Sequence, residues 1–326
     1  MTAGNGAPAG RGVDLALLAV AVAWGSSYLA AKSSTPPDAV FAVIALRFAI
    51  AVLAMVLLLA PRLRGLTRQE LGVGAVLGAV LALIFALETY GVTRTSAANA
   101  GLIISLTILM TPLLQGWVTG RVLPSTFFLA AGTAVAGVVL LTQADGFRAP
   151  GAGDVLVLLA AAVRAVHVVA IAGLTRGRQL DSGRLTLVQL GTVLLLCTGA
   201  SAVSGPAPWS VAAALPAGDW LLLGYLALAC TVLAFAVQTW AVRRTSPARV
   251  SLLLGTEPLW AFAVALSFSG QPWRPVALAG GVLVLAGVTW GRAVEAGAAT
   301  PSAPAGAPPR GAGWRRRPWR PRPAAG

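Results

Sequence analysis

One histidine, two cysteines and ten acidic residues are all that this chain of 326 residues offers of the side chains that most often bind metals or move protons. A lone imidazole builds no His-based zinc cluster. Cys197 and Cys230 both sit inside apolar runs, where a free thiol behaves as a small hydrophobe, so neither a disulfide framework nor a thiolate metal site is expected. Charged residues make up only 10% of the chain, against roughly 25% in an ordinary soluble domain. There is no phosphate loop of the G-x-x-x-x-G-K-[ST] type, which argues against ATP drive within the chain. Nor is there a Ser/His or Ser/Lys pair or a G-x-S-x-G elbow at workable spacing, so the sequence reads as a protein without catalytic residues, metal or cofactor.

What the chain has in abundance is apolar surface: 57% of its residues are hydrophobic and the mean hydropathy is +0.81. It reads as a membrane protein. About 20 apolar residues cross a bilayer as a helix that satisfies its own backbone hydrogen bonds. Runs separated by Pro, Gly, Arg and Asp give ten candidate spans, at about 13–31, 38–60, 71–92, 96–118, 124–143, 153–174, 185–204, 218–241, 248–269 and 274–292. The first run follows Arg11 as a signal peptide would, but it carries Trp24 and Tyr28 and lacks a small-x-small cleavage pattern before Lys32, so it is kept as a span. Residues 1–12 form a short polar lead. Residues 293–326 are Pro, Ala, Gly and Arg without periodicity and are expected to be disordered.

The net charge of +14 raises the question of nucleic acid, yet six of the 24 basic residues crowd into Arg310 to Arg322 and most of the others flank apolar runs. Their placement serves topology. With the N-terminus cytoplasmic, 18 basic residues fall on cytoplasmic segments, four on external ones and two, Arg47 and Arg164, within spans. The positive-inside rule then puts both termini in the cytoplasm, with the chain in the cytoplasmic (inner) membrane. No nucleic-acid partner is expected. The basic tail, with Trp314 and Trp319, is expected to be drawn to anionic membrane lipid.

An internal repeat carries the most information about architecture. Leu83 to Ser96 reads LIFALETYGVTRTS, and Leu233 to Ser246 reads LAFAVQTWAVRRTS, identical at 8 of 14 positions at an offset of 150 residues. Gly120/Gly270 and Gly137/Gly287 keep that offset. Five spans per copy is an odd number, so equivalent elements enter the bilayer with opposite polarity, as in the inverted-repeat architecture of many secondary transporters. The expected fold is therefore an all-α membrane protein of ten transmembrane helices, arranged as two inverted five-helix repeats over 13–143 and 153–292.

Four segments together resemble the EamA-type family of the drug/metabolite transporter superfamily: Trp24-Gly25-Ser26-Ser27-Tyr28, Leu46-Arg47-Phe48, Ser96-Ala97-Ala98-Asn99-Ala100 and Glu257-Pro258. The likeness covers about residues 13–292. It implies a ten-helix inverted repeat that moves small metabolites, often outward, by alternating access through a central cavity. Where that family often has Glu just after the fourth and ninth spans, this chain has Arg121 and Gln271, so a role tied to that acid does not carry over.

Ionisable residues within spans are costly unless paired or facing water, which makes them the first functional candidates. At the 150-residue offset Glu88 corresponds to Gln238, and a looser match sets Arg47 against Gln189. A charged pair in one copy then answers an amide pair in the other, so Arg47 and Glu88 are expected to lie near each other, either as a static lock or as a site for a charged or zwitterionic solute. Glu257 precedes Pro258, whose missing N–H weakens the ninth helix one turn earlier. A carboxylate at such a break is a candidate for proton or cation coupling, as Glu88 is, or else a helix tie paired with Arg164. Arg164 and His167 are three residues apart and share one helix face, expected to point to the cavity; a lone His is as readily a structural hydrogen-bonder. Trp24 and Tyr28 offer an aromatic wall or interfacial anchors. Asn99 and Gln115 offer polar lining or ties between helices, and Gly72, Gly74 and Gly78 close helix packing. The leading reading is a secondary transporter exporting an amino acid or related small molecule, with proton or ion coupling; the alternatives are an intramembrane enzyme or a receptor or structural membrane protein that does not transport.

Overall fold

The computed structural model describes residues 9–33, 35–95, 97–120, 122–142, 151–268 and 275–299, and among them every regular element is a helix. In chain order these are α1 (Ala9–Ser33), α2 (Val40–Leu59), α3 (Arg68–Arg94), α4 (Ala97–Ser105), α5 (Thr107–Thr119), α6 (Ser125–Thr142) and α7 (Ala152–Thr175). Then follow α8 (Ser182–Ser204), α9 (Pro208–Ala214), α10 (Ala217–Ala227), α11 (Ala234–Arg244), α12 (Pro247–Leu254), α13 (Glu257–Phe268) and α14 (Pro275–Ala299). A π-helical turn, Leu228–Leu233, joins α10 to α11. Among the described residues seven helical stretches are long and apolar enough to cross a membrane: Val40–Gly65, Arg68–Arg94, Ala100–Thr119, Ala152–Thr175, Ser182–Ser204, Ala217–Arg244 and Pro275–Ala298. Ser125–Leu141 is a shorter apolar helix.

Local signals start these helices where the sequence places them. At α3, Thr67 Oγ1 accepts from the Glu70 N–H at 3.1 Å while Glu70 Oε2 accepts from the Thr67 N–H at 2.9 Å, a capping box written as T-x-x-E. Asp181 Oδ1 accepts from the Arg184 N–H at the start of α8, and Ser246 Oγ from the Arg249 N–H at the start of α12.

Two expected spans are interrupted. The fourth breaks at Leu106, between α4 and α5, and the ninth at Gly255 and Thr256, between α12 and α13. In the ninth, Pro258 has no N–H to offer the carbonyl of Leu254, the last residue of α12. Leu106 and Thr256 are 150 residues apart, so the two copies break at the same place.

The last helix corrects the expected boundary at 292, because α14 runs on to Ala299. Glu295 is buried there, accepting a hydrogen bond from Ser246 Oγ at 2.8 Å and pairing with Arg249, so residues read from composition as tail are anchored to α12. The tail from residue 300 lies outside the described residues.

Small residues set the helix packing, as expected where lipid offers no hydrophobic drive for helices to associate. α3 packs between α7 and α8, α2 against α8, and α6 against α14. A methyl group on Gly137 of α6 would stand 2.6 Å from the backbone of Gly280 and Val284, and one on Gly287 of α14 would stand 2.5–2.6 Å from that of Ala134 and Ala130. Shifted by 150 residues, the second set of contacts is the first with the partners exchanged. That reciprocity is what a two-fold relation between the copies produces. Gly74 and Gly78 let α3 approach Val188 and Thr192 of α8, whereas Gly72 faces open space.

Candidate functional site

The functional candidates gather where α1, α2, α3, α7, α11 and α13 converge. The cavity at this point has a volume of about 50 Å³. Trp24, Phe85 and Phe235 wall it, with ring centroids 5.5 Å apart for Trp24 and Phe235 and 5.8 Å for Phe85 and Phe235. Arg47, Glu88, Arg164 and Glu257 supply its charge, two positive and two negative.

The partner expected for Glu88 is corrected. Glu88 pairs with Arg164 of α7 at 2.5 Å, not with Arg47. Arg164 also lies over the indole of Trp24, 4.8 Å from the ring centroid, which fixes the guanidinium between an aromatic face and a carboxylate. Arg47 instead donates through Nε to Thr231 Oγ1 at 2.7 Å and stacks over Phe85 at 5.0 Å. The physical reason lies in the π-turn Leu228–Leu233. It redirects Thr231 Oγ1 back to the carbonyl of Leu226 and leaves the carbonyl of Cys230 to accept from Trp24 Nε1 at 2.9 Å and Arg47 Nη2 at 3.4 Å. A π-turn inserted in a helix commonly marks a functional site in this way. Arg47 and Glu88 nevertheless line the same cavity.

Arg164 and His167 share a helix but part company. Arg164 turns into the cavity, while His167 is buried with its Nε2 3.0 Å from Gln189 Oε1 of α8 and is not among the lining residues. Gln189 Nε2 in turn donates to Thr239 at 3.4 Å. His167 therefore ties α7 to α8 and α11. The side chains of Tyr28 and Asn99 lie outside the described residues.

A second, smaller cavity of about 20 Å³ lies between the two helix breaks, reached by Ser105 and Thr107 from one and by Gly255 and Glu257 from the other. Gln238 and Thr111 complete its polar wall. Arg164 and Glu257 line both cavities. A third concavity, open and about 940 Å³, is bounded by Arg62, Arg176, Arg178, Arg243 and Arg244 with Asp181 as its one carboxylate. It lies at the face where the basic segments collect. Among the described residues no three His, Cys, Asp or Glu side chains gather as a metal site.

Sequence reasoning missed the ion pairs at the helix ends. Asp14, in the second turn of α1, is buried and holds Arg249 through two hydrogen bonds, of 2.8 and 2.9 Å, together with Arg292. Glu70 is buried against Arg184 at 2.9 Å and accepts from the Asp181 N–H at 2.8 Å. Asp154 at the start of α7 accepts from Thr95 Oγ1 at 2.5 Å. An acid in the first turn of an apolar run was the available signal. These contacts join the first copy to the second at both ends of the bundle.

Comparison with known proteins follows the same division of the chain. The EamA-like transporter family matches residues 11–143 and again residues 151–290. An uncharacterized transporter of Archaeoglobus fulgidus is 24% identical over 275 residues, covering 84% of each chain. One solved crystal structure superposes with a TM-score of 0.69, covering 89% of this chain and 99% of its own, at 18% identity, a likeness of fold alone.

Proposed function

The chain belongs to the EamA-like transporter family and is a multi-pass membrane protein, and from that premise we propose that it is a secondary transporter exporting a small zwitterionic solute, an amino acid or a related metabolite. The observation that carries this reading is the charge balance of the central cavity. Two guanidinium and two carboxylate groups cancel, and three aromatic rings wall the rest. A solute bearing both charges keeps that balance, whereas a simple cation or anion leaves one buried charge without a counterpart. Family membership points to a transporter rather than an enzyme.

The mechanism is alternating access by two five-helix halves, with α1 to α6 in one and α7 to α14 in the other. Counting each broken or π-linked pair as one crossing, and leaving out the seven-residue α9, gives ten spans; the basic flanks then place both termini in the cytoplasm and the chain in the cytoplasmic membrane. The reciprocal glycine contacts of α6 and α14 and the matched breaks at 106 and 256 support this pairing of halves. Helices interrupted at corresponding positions are a frequent seat of substrate and coupling ion in such transporters. Here the breaks flank Glu257, the coupling group. Anionic lipid is the partner of the basic tail.

Counterflow tests the reading. Purified protein in liposomes preloaded with unlabelled amino acids exchanges labelled zwitterionic amino acids, and lysine or glutamate competes poorly. No exchange of any amino acid, or an unchanged solute preference in Glu88→Gln and Arg164→Gln proteins, refutes it.

A further inference from the structure

Glu257 and Arg164 are the ionisable residues that line both inner cavities. The larger of these cavities extends to Ala31 and Thr93, near the C-terminal ends of α1 and α3. The smaller continues in the opposite direction. From its wall to the arginine-lined concavity is one helical turn on each of three helices: Thr111 to Gln115 on α5, Val168 to Ala172 on α7 and Gln238 to Val242 on α11. One turn advances about 5.4 Å.

The small cavity is polar in a particular way. Thr111 Oγ1 and Gln238 Oε1 are without a hydrogen-bonding partner among the described residues, although the two side chains are only 0% and 1% exposed. Buried oxygens of this kind are costly to leave unsatisfied, and an internal water with two to four polar partners is the usual remedy. At about 20 Å³ the cavity exceeds the roughly 10–15 Å³ that a single water requires. It is too small for an organic solute.

We propose that this cavity holds one water molecule between Thr111 and Gln238, and that this water is the relay through which Glu257 exchanges its proton with the arginine-lined face. The relay rests on the reading of Glu257 as the coupling group. In the transfer, the protonated carboxyl of Glu257 gives its proton to the water oxygen, and the water gives one of its own to Thr111 Oγ1. The threonine releases its original proton past Gln115 to solvent water in the open arginine-lined concavity, which becomes hydronium. Each O–H bond broken is matched by one formed, and Glu257 is left as a carboxylate. Gln238 accepts from the water and holds it in line. Through the larger cavity the same carboxyl reaches the opposite face, so one group is served from two sides, as coupled transport requires.

The test is deuterium exchange of the Glu257 carboxyl, followed by infrared spectroscopy on the full chain in liposomes, with the carboxyl band assigned by its loss in Glu257→Gln. Thr111→Val keeps the shape of the side chain and removes the hydroxyl. It slows the exchange by about tenfold or more, the rate change that one lost hydrogen bond in the transfer step produces. Gln238→Leu does the same, and Thr111→Ser exchanges like the parent. Parent-like exchange in both Thr111→Val and Gln238→Leu overturns the relay, as does the absence of any carboxyl band assignable to Glu257. A transport arm separates this proposal from the coupling reading. Thr111→Val keeps solute counterflow, which needs no net proton release, and loses accumulation driven by a pH gradient. If the parent accumulates solute regardless of the gradient while Thr111→Val still slows the exchange, the coupling role falls and the relay stands.

Discussion

Removing either partner of the Arg164–Glu88 pair tests whether the charges at the centre act as a coupled unit. The groups meet at 2.5 Å, and their side chains are 13% and 20% exposed. Breaking a fully buried pair costs about 3–5 kcal/mol because the survivor is left without a counter-charge. Partial exposure and the proximity of Glu257 and Arg47 in the same cavity lower that figure here, to about 2 kcal/mol for Glu88→Gln or Arg164→Gln. The double substitution removes both charges and leaves two amides, so neither charge survives without its counterpart. It should therefore cost less than the sum of the single changes, with a coupling energy of at least about 1 kcal/mol. Unfolding midpoints of the four proteins in one detergent, arranged as a double-mutant cycle, measure it. Each single variant melts about 4 °C lower, scaling from the usual shift per kcal/mol in large domains. Single effects that add to within about 0.5 kcal/mol refute the pairing. The exchanged pair, Glu88→Arg with Arg164→Glu, bears on function: restored stability without restored solute counterflow shows that the orientation of the charges serves the solute.

Other substitutions follow from the packing and the helix ends. Gly137→Leu forces α6 away from the backbone of Gly280 and Val284 and costs about 1–3 kcal/mol, read as a lowered unfolding midpoint; the same change at Gly72, which faces open space, leaves the midpoint within about 0.5 kcal/mol. Asp14→Asn leaves the partly exposed Arg249 and Arg292 without their shared buried carboxylate and costs about 2 kcal/mol, with the loss shrinking in high salt. Trp24→Phe removes the indole donor to the Cys230 carbonyl and costs about 1 kcal/mol, while an unchanged midpoint refutes that bond. Deletion of residues 300–326 leaves transport intact and weakens binding to vesicles containing phosphatidylglycerol, by about 1 kcal/mol for each basic residue that reaches the surface.

Much of the architecture was readable because it is repetitive. Apolar runs and basic flanks locate the helices, and the match of 83–96 to 233–246 divides the chain where the family does. Pro258 gave away the ninth-helix break through a missing donor, but the fourth-helix break at Leu106 has no proline at the corresponding place and went unseen. The pairing at the centre was misread for a geometric reason. Correspondence between repeats says which positions change together; it does not say in which direction a side chain leaves its helix. Arg47 follows the carbonyl and hydroxyl that the π-turn presents, and no pattern of hydrophobicity reveals that turn. His167 faces α8 although Arg164, one turn earlier, does not, because a 100° step per residue separates neighbours that spacing alone groups together.

Two copies of one module would build two copies of one site, and the chain avoids this where its copies differ. Glu88 of the first is answered by Gln238 in the second, so a carboxylate faces the larger cavity and an amide the smaller. α3 runs unbroken through residues 78–83, whereas the corresponding residues 228–233 form the π-turn that holds Arg47 and Trp24. Counted from the acid near the start of each copy, Asp14 and Asp154, Trp24 and Arg164 both stand ten residues on, and these two unlike side chains stack on each other. The backbone contacts that hold the copies together, Gly137 on Gly280 and Gly287 on Ala130, have kept their symmetry. A scaffold with equivalent halves gives two conformations of similar energy, as switching between two faces needs. On the proposed mechanism its lining is unequal, so that solute and proton approach by different routes. On that division, exchanging the two copies' residues at 88 and 238, Glu88→Gln with Gln238→Glu, keeps the helical fold and lowers the unfolding midpoint by about as much as Glu88→Gln alone, because the Arg164 pair is lost. The same exchange moves the carboxylate from the larger cavity to the smaller and abolishes solute counterflow. A protein that still transports after that exchange shows that the two copies are interchangeable at the centre and that the asymmetry argument is wrong.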